Sequence, residues 1–403
     1  MEAHTNILVF NCGSSSQSFK VYRFSTAAPP QVIARGKAKN VATQTQAESS
    51  LSWEMNGKQG SIPLQRPAHR DVARTILDLL AQQQVSLDAI GHRFVHGGSL
   101  FHQTTRLNAE ALAGLKQCFP LAPIHNPNSY SVIEVCLEKL RATPQYAVFD
   151  TAFHAHLPEA ARRYAIPQRL AEQYGFRKYG FHGLSYQYVS ARAAEWLGKP
   201  LEQLKLILCH LGTGGASLAA LRSGHSADTS MGYSPLPGLV MSTRCGDIDA
   251  EVVLELVRKG YTADQVSRLL NDESGLLGLS DGFSSNLEEI INAAEQGNAA
   301  CQSAFEVYVH RLRLYLGAYH WLLNGADAIV FTDDVGLRSW KLREQVLSGA
   351  EQLGVLLDRQ ANRLAPPERI SEIQHPQSRT RILLIPTDEE RVIAEEVARQ
   401  LSG

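Results

Sequence analysis

The chain has 403 residues, which is enough for two or three domains that each bury their own hydrophobic core. Its 39 Lys and Arg residues balance 40 Asp and Glu residues, so the overall charge does not indicate binding to nucleic acid or to an anionic membrane. The first residues, MEAHTNILVF, lack the basic flank and apolar core of a signal peptide. Six cysteines are scattered without a CxxC pair, which indicates reduced thiols in a cytoplasmic protein.

Two turns of small residues, each following an apolar strand, dominate the pattern. The first is Asn11-Cys12-Gly13-Ser14-Ser15-Ser16, and the second is Gly212-Thr213-Gly214-Gly215. Backbone N–H groups and hydroxyls exposed at such turns bind anions, most often phosphate. Each turn alone is a weak signal, because any hairpin can carry glycines. Two of them, about half a chain apart, predict a duplicated domain with a phosphate chain between its halves.

The first third of the chain is predicted to hold strands around one helix. The polar segment 25–70 alternates like a strand at Leu51–Met55, which predicts a small surface hairpin. His69–Gln84 has the apolar spacing of a helix, and Ala89–Val95 is predicted to be a strand that contains Arg93. An arginine within an apolar strand either binds an anion or forms a structural ion pair with an acid of its own domain. The sequence leaves these two explanations equal.

Three further segments carry residues suited to chemistry. The proline-rich PLAPIHNPN presents His125, although a histidine bonded to loop backbone is the commoner explanation there. The apolar strand 146–150 ends in Asp150, which suits a catalytic acid or metal ligand and equally a helix cap. In YGFHGLS, His182 lies beside glycines, where backbone and ring can approach a ligand.

The second half alternates loops, helices and strands. Residues 228–249 have few features of regular structure and contain Arg244, as expected of an ordered binding loop. A helical pattern runs from residue 251 to 318 with a break at 274–278. Ala328–Thr332 is predicted to be a strand, Arg343–Asn362 an amphipathic helix, and residues 381–386 and 391–401 the last strand and helix.

Taken together, these motifs resemble the acetate and propionate kinase family over essentially the full length. The motifs occur in family order and with family spacing: NCGSSS, GHRFVHGG, PIHNPN, FDTAFH, YGFHGLS, CHLGTGG, DTSMGYSPLPGLVMSTRCGDID, SGLLGLS and PTDEE. The resemblance implies an α/β fold of two ribonuclease H-like (actin-like ATPase) domains with a duplicated core and a central cleft. Residues 1–150 and about 385–403 would form an N-terminal domain on the acyl and phosphate side. Residues 151–384 would form a C-terminal domain on the nucleotide side.

The resemblance also implies an activity: reversible phosphoryl transfer from ATP to acetate, giving acetyl phosphate and ADP. It implies Mg²⁺, with Mn²⁺ as an alternative, and a homodimer. The acceptor is a short-chain carboxylate, and the sequence does not separate acetate from propionate, because one methylene changes binding by only about 1–3 kcal/mol. Since that carboxylate is ionised at neutral pH, the reaction requires no strong general base.

Site residues follow from the resemblance, position by position. The residues that match the family's catalytic positions are Asn11, Arg93, His125, Asp150, His182 and Arg244. The residues that match the carboxylate site and its small apolar pocket are Arg93, Val95, Ile124, Phe181 and Pro235. The residues that match nucleotide- and phosphate-binding positions are Ser14, Ser16, His210, Gly212, Thr213, Gly214, Gly215, Asp333, Asp334 and Gly336. The residues that match positions placing the metal ion are Asn11, Asp150 and Glu389.

The chain departs from the family at the phosphoryl-donor side. Asp333-Asp334-Val335-Gly336-Leu337-Arg338 replaces the usual Gly-Gly-Ile-Gly-Glu-Asn, which adds bulk and negative charge where a nucleotide would lie. The turn at Gly212 is one residue longer than usual and lacks an asparagine. Ser18 stands where the family usually has lysine, and Lys20 lies two positions on.

Three hypotheses account for an intact acceptor side with an altered donor side. The first is an ATP-dependent acetate kinase whose nucleotide pocket is rebuilt locally, with Arg338 pairing with Asp334. The second is the same acceptor chemistry with pyrophosphate or polyphosphate as donor. The third is a non-catalytic paralogue that binds acyl phosphate or nucleotide, and the complete set of transfer residues argues against it.

Overall fold

The computed structural model describes residues 4–25, 28–43 and 48–402. The chain divides into two compact units, which we call unit 1 (residues 1–153 and 388–403) and unit 2 (residues 154–387). Residues 1–3 of the N-terminal stretch and residues 26, 27 and 44–47 of the polar segment lie outside the described residues.

Each unit is built on one β-sheet whose central strands are apolar runs buried along nearly their whole length, as expected for strands covered on both faces. The strands of unit 1 are β1 (Thr5–Cys12), β2 (Ser16–Phe24), β3 (Gln31–Lys39), β4 (Ser49–Met55), β5 (Lys58–Leu64), β6 (Ala89–Phe94), β7 (Thr105–Arg106) and β8 (Gln145–Phe149). The strands of unit 2 are β9 (Lys205–Gly212), β10 (Gly215–Arg222), β11 (His225–Thr229), β12 (Ala328–Thr332), β13 (Ser371–Glu372) and β14 (Arg381–Leu384).

The helices lie between the parallel strands and after the last one. Those before β9 are α1 (His69–Gln82), α2 (Ala109–Gln117), α3 (Asn126–Lys139), α4 (Glu159–Arg162), α5 (Gln168–Tyr174) and α6 (Gly183–Leu197). Those between β11 and β12 are α7 (Ala250–Arg258), α8 (Ala263–Asp272), α9 (Gly275–Leu279), α10 (Leu287–Glu295) and α11 (Ala299–Leu322). The remaining helices are α12 (Asp333–Arg338), α13 (Trp340–Leu347), α14 (Arg359–Leu364) and α15 (Glu389–Ser402).

The two sheets share one topology, which confirms the predicted duplication of the core. The order β3-β2-β1-β6-β8-β7 in unit 1 matches β11-β10-β9-β12-β14-β13 in unit 2. The directions match as well: the first three strands form an antiparallel meander, and the next two strands run parallel to the first of them. The last strand is antiparallel to its neighbour in both sheets. In unit 1, β4 and β5 extend the sheet beyond this shared core.

This topology corrects the expectation for residues 25–70. β4 and β5 form the predicted hairpin around Leu51–Met55. This hairpin is not separate, because β4 also pairs with β3, and β3 with β2, in the main sheet. β3 is the counterpart of β11 and therefore belongs to the duplicated core. Only β4 and β5 are additions to it. The polar alternation that suggested a surface hairpin reflects strands exposed on one face.

The single helix predicted over residues 343–362 is also wrong. The chain instead forms α13, a 3₁₀ turn at Glu351–Leu353, and α14. Gly349 and Gly354 have φ values of +77° and +83°, a left-handed backbone that interrupts the α-helix. Helices α1, α11 and α15 occur where the apolar spacing predicted them. Helices α3 and α6 were not predicted, and most of the break expected at 274–278 forms α9 instead.

Helix α15 returns the end of the chain to the sheet of unit 1. It packs on β1 and β6, and a Cβ at Gly91 would lie 2.6 Å from Ile393 Cγ2, so the strand and the helix approach closely only because residue 91 is glycine. In the part of the chain that the structure describes, no helix combines the length and the apolar character that crossing a bilayer requires.

Candidate active site

In unit 1, three of the predicted residues meet at the carboxyl ends of adjacent parallel strands. The register pairs Phe10 with His92 and Phe94 with Phe149. Asn11, Arg93 and Asp150 therefore lie side by side, although up to 139 residues of chain separate them. This edge of an open parallel sheet is where α/β folds gather ligand-binding groups.

Arg93 is the centre of this group. Its Nε and Nη2 atoms donate to the two carboxylate oxygens of Asp150 at 3.0 and 2.5 Å, and its Nη1 donates to Asn11 Oδ1 at 3.0 Å. Glu389 Oε2 lies 3.7 Å from the same Nη1. Burial disfavours the charged guanidinium, but Asp150 and Glu389 outweigh burial and raise the pKa of Arg93. The structure thus forms the ion pair that the sequence held as one of two explanations.

A second layer of polar residues holds Asn11 in place. The sequence analysis assigned no role to this layer. Glu390 Oε1 accepts from Asn11 Nδ2 at 3.2 Å and from Ser18 Oγ at 2.8 Å. Lys20 Nζ lies 3.5 Å from Glu390 and 2.7 Å from Asp388. Burial opposes ionisation of Glu390, yet Lys20 and Ser18 lower its pKa below the ordinary value. The sequence contains one indication of this layer: Ser18 and Lys20 are two positions apart, which places both side chains on one face of β2.

The predicted metal position lies in this group, and its donor atoms suit a hard cation. Asp150 and Glu389 contribute carboxylate oxygens next to each other on Arg93, and Asn11 contributes an amide oxygen. Mg²⁺ is usually held by one or two carboxylates and several waters, so two carboxylates suffice. Among the described residues no group of three or more His, Cys, Asp or Glu side chains has the arrangement of a metal site, so an all-protein cage is not formed there.

The other residues predicted for this unit are spread over different environments. Ser14 and Ser16 lie at the turn between β1 and β2, where Gly13 N donates to Ser16 O at 2.8 Å. His125 directly precedes α3. Val95 is 9% exposed, whereas Ile124 is 61% exposed, so the structure does not bury Ile124 in an apolar pocket of unit 1.

In unit 2, the glycine turn is the tip of the β9–β10 hairpin. Gly212 pairs with Gly215, which leaves Thr213 and Gly214 as a two-residue turn. A Cβ at Gly215 would lie 3.4 Å from Arg244 Nη1 and 3.5 Å from His182 Nε2. The side chains of Arg244 and His182 therefore lie directly over the turn, at van der Waals distance from the Cβ position of residue 215.

His182 is held in an unusual conformation by a hydrogen-bonded chain. Its φ of +57° is uncommon for a residue with a side chain and marks a position that the surrounding structure enforces. Its Nδ1 lies 2.7 Å from Ser217 Oγ, and the same oxygen lies 2.5 Å from Tyr186 Oη. The His182 and His210 rings stack with centroids 4.0 Å apart. The sequence reasoning missed Ser217 and Tyr186, although Tyr186 lies one helical turn after His182 and so on the same face of α6.

Arg244 is held by groups that do not neutralise it. Its Nη1 donates to Pro235 O and its Nη2 to Gly214 O, both at 3.0 Å, and Met241 Sδ lies 3.4 Å from Nη1. In the described part of the chain, no carboxylate lies within ion-pair distance of this guanidinium. Burial lowers the pKa of Arg244, with Asp272 opposing the effect. A half-buried cation whose partners are two carbonyls and a thioether sulfur is suited to receive an anion.

The two aspartates that replace the family's glycines contact the same turn. Asp333 Oδ2 lies 3.1 Å from His210 Nε2. Asp334 accepts from Thr213 N at 2.9 Å and from Thr213 Oγ1 at 2.8 Å. The suggested pairing of Arg338 with Asp334 is wrong: Arg338 lies beside Glu368, 3.9 Å away, because it projects from the other end of α12.

The remaining predicted residues of unit 2 act through their backbone or lie in the core. Phe181 is 2% exposed, and Pro235 contributes the carbonyl that binds Arg244. Gly336 lies within α12, where its carbonyl accepts from Arg343 Nη1 at 2.8 Å. Arg343 is 1% exposed, and it donates hydrogen bonds both to the carbonyl of Leu337 in α12 and to Asn362 Oδ1. The sequence did not single it out, because a buried structural arginine has no local pattern.

The chain was compared with known proteins. Residues 6–395 match the model of the acetokinase family. The acetate kinase of Dictyoglomus thermophilum is 41% identical over 401 residues, 98% of each chain. The crystal structure of Porphyromonas gingivalis acetate kinase superposes with a TM-score of 0.88 at 36% identity, covering 98% of this chain and 100% of that one. A propionate kinase from Francisella tularensis gives a TM-score of 0.88 at 35% identity, covering 97% and 98%.

These matches extend over nearly the whole of both chains and agree with the duplicated strand order of the two sheets. The structural relatives share the duplicated actin-like ATPase fold. We conclude that the chain belongs to the acetokinase family.

Proposed function

We propose that this chain catalyses the reversible transfer of a phosphoryl group from ATP to acetate, giving acetyl phosphate and ADP. A carboxylate oxygen of acetate forms the new bond to the terminal phosphorus of ATP. The bond between that phosphorus and the bridging oxygen breaks, and ADP leaves with the electron pair. Acetate is ionised at neutral pH, so the protein's contribution is positioning and neutralisation of charge.

Arg244 is the observation that carries this proposal. It is a cation over an anion-binding turn, and within the described residues it has carbonyl oxygens but no carboxylate as partners. A planar guanidinium can donate two parallel hydrogen bonds to phosphoryl oxygens. His182 lies over the same glycine, so it is placed to donate a further hydrogen bond to the phosphoryl group in transit.

Unit 1 would supply the groups for the acceptor and the metal ion. In the proposal Arg93 binds the carboxylate of acetate, Asn11 contacts the transferred phosphoryl group, and His125 supports the reaction from the acyl side. Asp150 and Glu389, with Asn11, would hold Mg²⁺, for which Mn²⁺ could substitute. When bound, the ion neutralises negative charge on the phosphoryl oxygens. The 2.5 Å contact between Arg93 and Asp150 supports a rigid arrangement of this group.

Acetate is proposed as the preferred acceptor, and propionate as the alternative. In the proposal Val95, Ile124, Phe181 and Pro235 are the residues that match the family's positions for binding the methyl group. Of these, Val95 and Phe181 are buried. One additional methylene is worth about 1–3 kcal/mol in such a pocket, which corresponds to a modest preference. The ratio of kcat/KM for acetate and propionate measures it directly.

A specific observation favours a second candidate donor. Asp333 and Asp334 add two side chains against the turn of unit 2, at positions where the family usually has glycines and where a nucleotide would lie. A smaller inorganic donor, pyrophosphate or polyphosphate, would avoid any need for an adenosine site. A non-catalytic acyl-phosphate- or nucleotide-binding protein is the remaining alternative.

The deciding experiment measures acetyl phosphate formed from acetate and Mg²⁺ with ATP, pyrophosphate or short polyphosphate in parallel reactions. We expect formation with ATP, and ADP in equal amount. Formation only with an inorganic donor would replace ATP in the proposal. If no donor yields acetyl phosphate while nucleotide still binds, the transfer function is refuted and the binding protein remains.

We further propose that the protein is a homodimer in the cytoplasm. Helix α7 supports the dimer, because Val252, Leu254 and Val257 are 47–50% exposed and no residue of this amphipathic helix is buried. A second copy of the chain would cover this face, and light scattering coupled to size exclusion would give twice the mass of 44.3 kDa. The free cysteines among the described residues suit a reducing compartment, which cell fractionation would test.

A further inference from the structure

Two unusual features of the sequence, 120 residues apart, form one local structure. Thr213 belongs to the turn between β9 and β10, whereas Asp333 and Asp334 begin α12. The parallel pairing of β9 with β12 brings them together, because it sets His210 opposite Thr332. The residues that follow these two partners then lie at the same edge of the sheet.

Asp334 occupies the hydrogen-bond donors of Thr213 in the turn. The backbone N–H and the hydroxyl of Thr213 donate to its two carboxylate oxygens at 2.9 and 2.8 Å. The N–H of Val335 donates to the same carboxylate at 2.8 Å. Backbone N–H and hydroxyl groups at a turn are the donors that an external phosphate would use. In this chain they already hold an anion.

Asp333 fills the space that a glycine leaves open. A Cβ at Gly212 would lie 2.1 Å from Asp333 Oδ2, so this carboxylate rests directly on the glycine backbone. The same oxygen lies 3.1 Å from His210 Nε2. Asp333 adopts a φ of +65°, which is unfavourable for a residue with a Cβ and is kept only where other contacts enforce it. Further along α12, the buried Arg343 binds the carbonyls of Gly336 and Leu337.

The carboxylates of the two aspartates contact residues at or beside the turn: Asp334 bonds Thr213, and Asp333 lies next to His210. Arg338, at the opposite end of α12, lies 3.9 Å from Glu368. Among the groups beside the turn, the Arg244 guanidinium is a cation, and its Nη1 would lie 3.4 Å from a Cβ at Gly215. An incoming phosphate chain therefore competes with two resident carboxylates for the same donors and the same positive charge.

We propose that Asp333 and Asp334 are resident anions of the Gly212–Gly215 turn, and that their carboxylates determine how tightly unit 2 binds the phosphate chain of a phosphoryl donor. The inference rests on the proposed function, because it takes this turn as the place where donor phosphates bind. The ligand class is a chain of two or more phosphates, whether carried by a nucleoside or inorganic. The aspartates act as specificity-determining residues and take no part in bond making.

The test measures binding of ADP and of inorganic pyrophosphate by calorimetry at fixed Mg²⁺, without acetate. Asp334→Asn removes the charge and keeps a side chain of the same shape that can still bond Thr213. We expect it to bind both ligands about tenfold more tightly, a change of about 1.4 kcal/mol. Asp333→Asn should act in the same direction, and it keeps the test informative if the first variant does not fold. Glu368→Gln is the matched control, because it removes one exposed carboxylate near α12 that does not touch the turn.

Ionic strength separates an electrostatic role from a merely structural one. If the carboxylates repel phosphate, the gain in affinity of the variants shrinks as salt is raised from about 0.05 to 0.5 M, because screening weakens the repulsion. If the variants bind ADP more tightly and pyrophosphate with unchanged affinity, the resident-anion role is supported and a nucleotide is identified as the donor. If they bind only pyrophosphate more tightly, the role is also supported and the donor is inorganic. Unchanged or weaker binding of both ligands in both aspartate variants, or an equal gain in Glu368→Gln, overturns the inference.

The outcome is independent of the transfer reaction. If the wild-type protein forms acetyl phosphate but the variants bind ADP and pyrophosphate no more tightly, the resident-anion role is refuted and the proposed function stands. Wild-type protein without transfer activity, together with variants that bind more tightly, would refute the proposed function and leave the resident anions in place.

Discussion

Arg244→Ala is the most direct test of how unit 2 takes part in phosphoryl transfer. A guanidinium has five N–H donors. In the structure two of them bond Pro235 O and Gly214 O, and a third faces Met241 Sδ. Two donors, on Nε and Nη2, are therefore left for a phosphoryl group. Each charge-assisted hydrogen bond is worth about 1.5–3 kcal/mol, so the loss of both raises the barrier by about 3–6 kcal/mol.

This increase in the barrier corresponds to a fall in kcat of about 10²–10⁴-fold. Acetyl phosphate formation under saturating acetate and donor measures it. Arg244→Lys is the matched control, because it keeps the positive charge but loses the planar guanidinium. Its kcat should lie between those of the wild type and Arg244→Ala. Added guanidinium chloride should partly restore Arg244→Ala and leave Arg244→Lys unchanged. A kcat within about threefold of wild type in Arg244→Ala would refute the role given to this residue.

Other variants test the remaining contacts. Asp150→Asn leaves the Arg93 guanidinium without its bidentate partner and should destabilise the protein by about 3 kcal/mol, seen as a lower urea midpoint; an unchanged midpoint would contradict the buried pair. Gly212→Ala places a Cβ 2.1 Å from Asp333 Oδ2 and should destabilise by about 1–3 kcal/mol, and Asp333→Gly in the same chain should recover most of the loss. Burial lowers the pKa of His92 to about 4, so stability should fall as the pH drops from about 6.5 to 4, because only the unfolded chain then binds the proton. His92→Phe should flatten that pH dependence of the urea midpoint, and an unaltered slope would show that His92 is not its source.

The duplicated core was predictable in part. Buried strands such as β1, β9 and β12 are continuous apolar runs, and their sequence alone identifies them. The equivalence of β3 and β11 was not visible, because β3 is half-exposed and polar while β11 contains His225 and Asp228. Their relation appears only once each is seen to pair with the second strand of its meander.

The break between α13 and α14 shows a different limit of sequence reasoning. Apolar residues recur with helical spacing on both sides of it, so periodicity predicts one helix over 343–362. Gly349 and Gly354 adopt left-handed conformations there, and a glycine is compatible with either outcome. Arg343 and Asn362 then bond to each other across the break, which no local pattern indicates.

The amino-acid sequence by itself determined the chemistry available to this protein: the two glycine turns, the arginines and histidines, the acids at strand ends, and the family they match. Only the tertiary structure decided which of these residues act on one another. Parallel pairing joins Arg93 to Asp150, and it joins Thr213 to Asp334 across 121 positions. The reason is physical: strand composition depends on local burial, whereas the register between distant strands depends on the packing of the whole sheet. The consequence for donor binding follows from that register, because it places two carboxylates on the turn that would receive a phosphate.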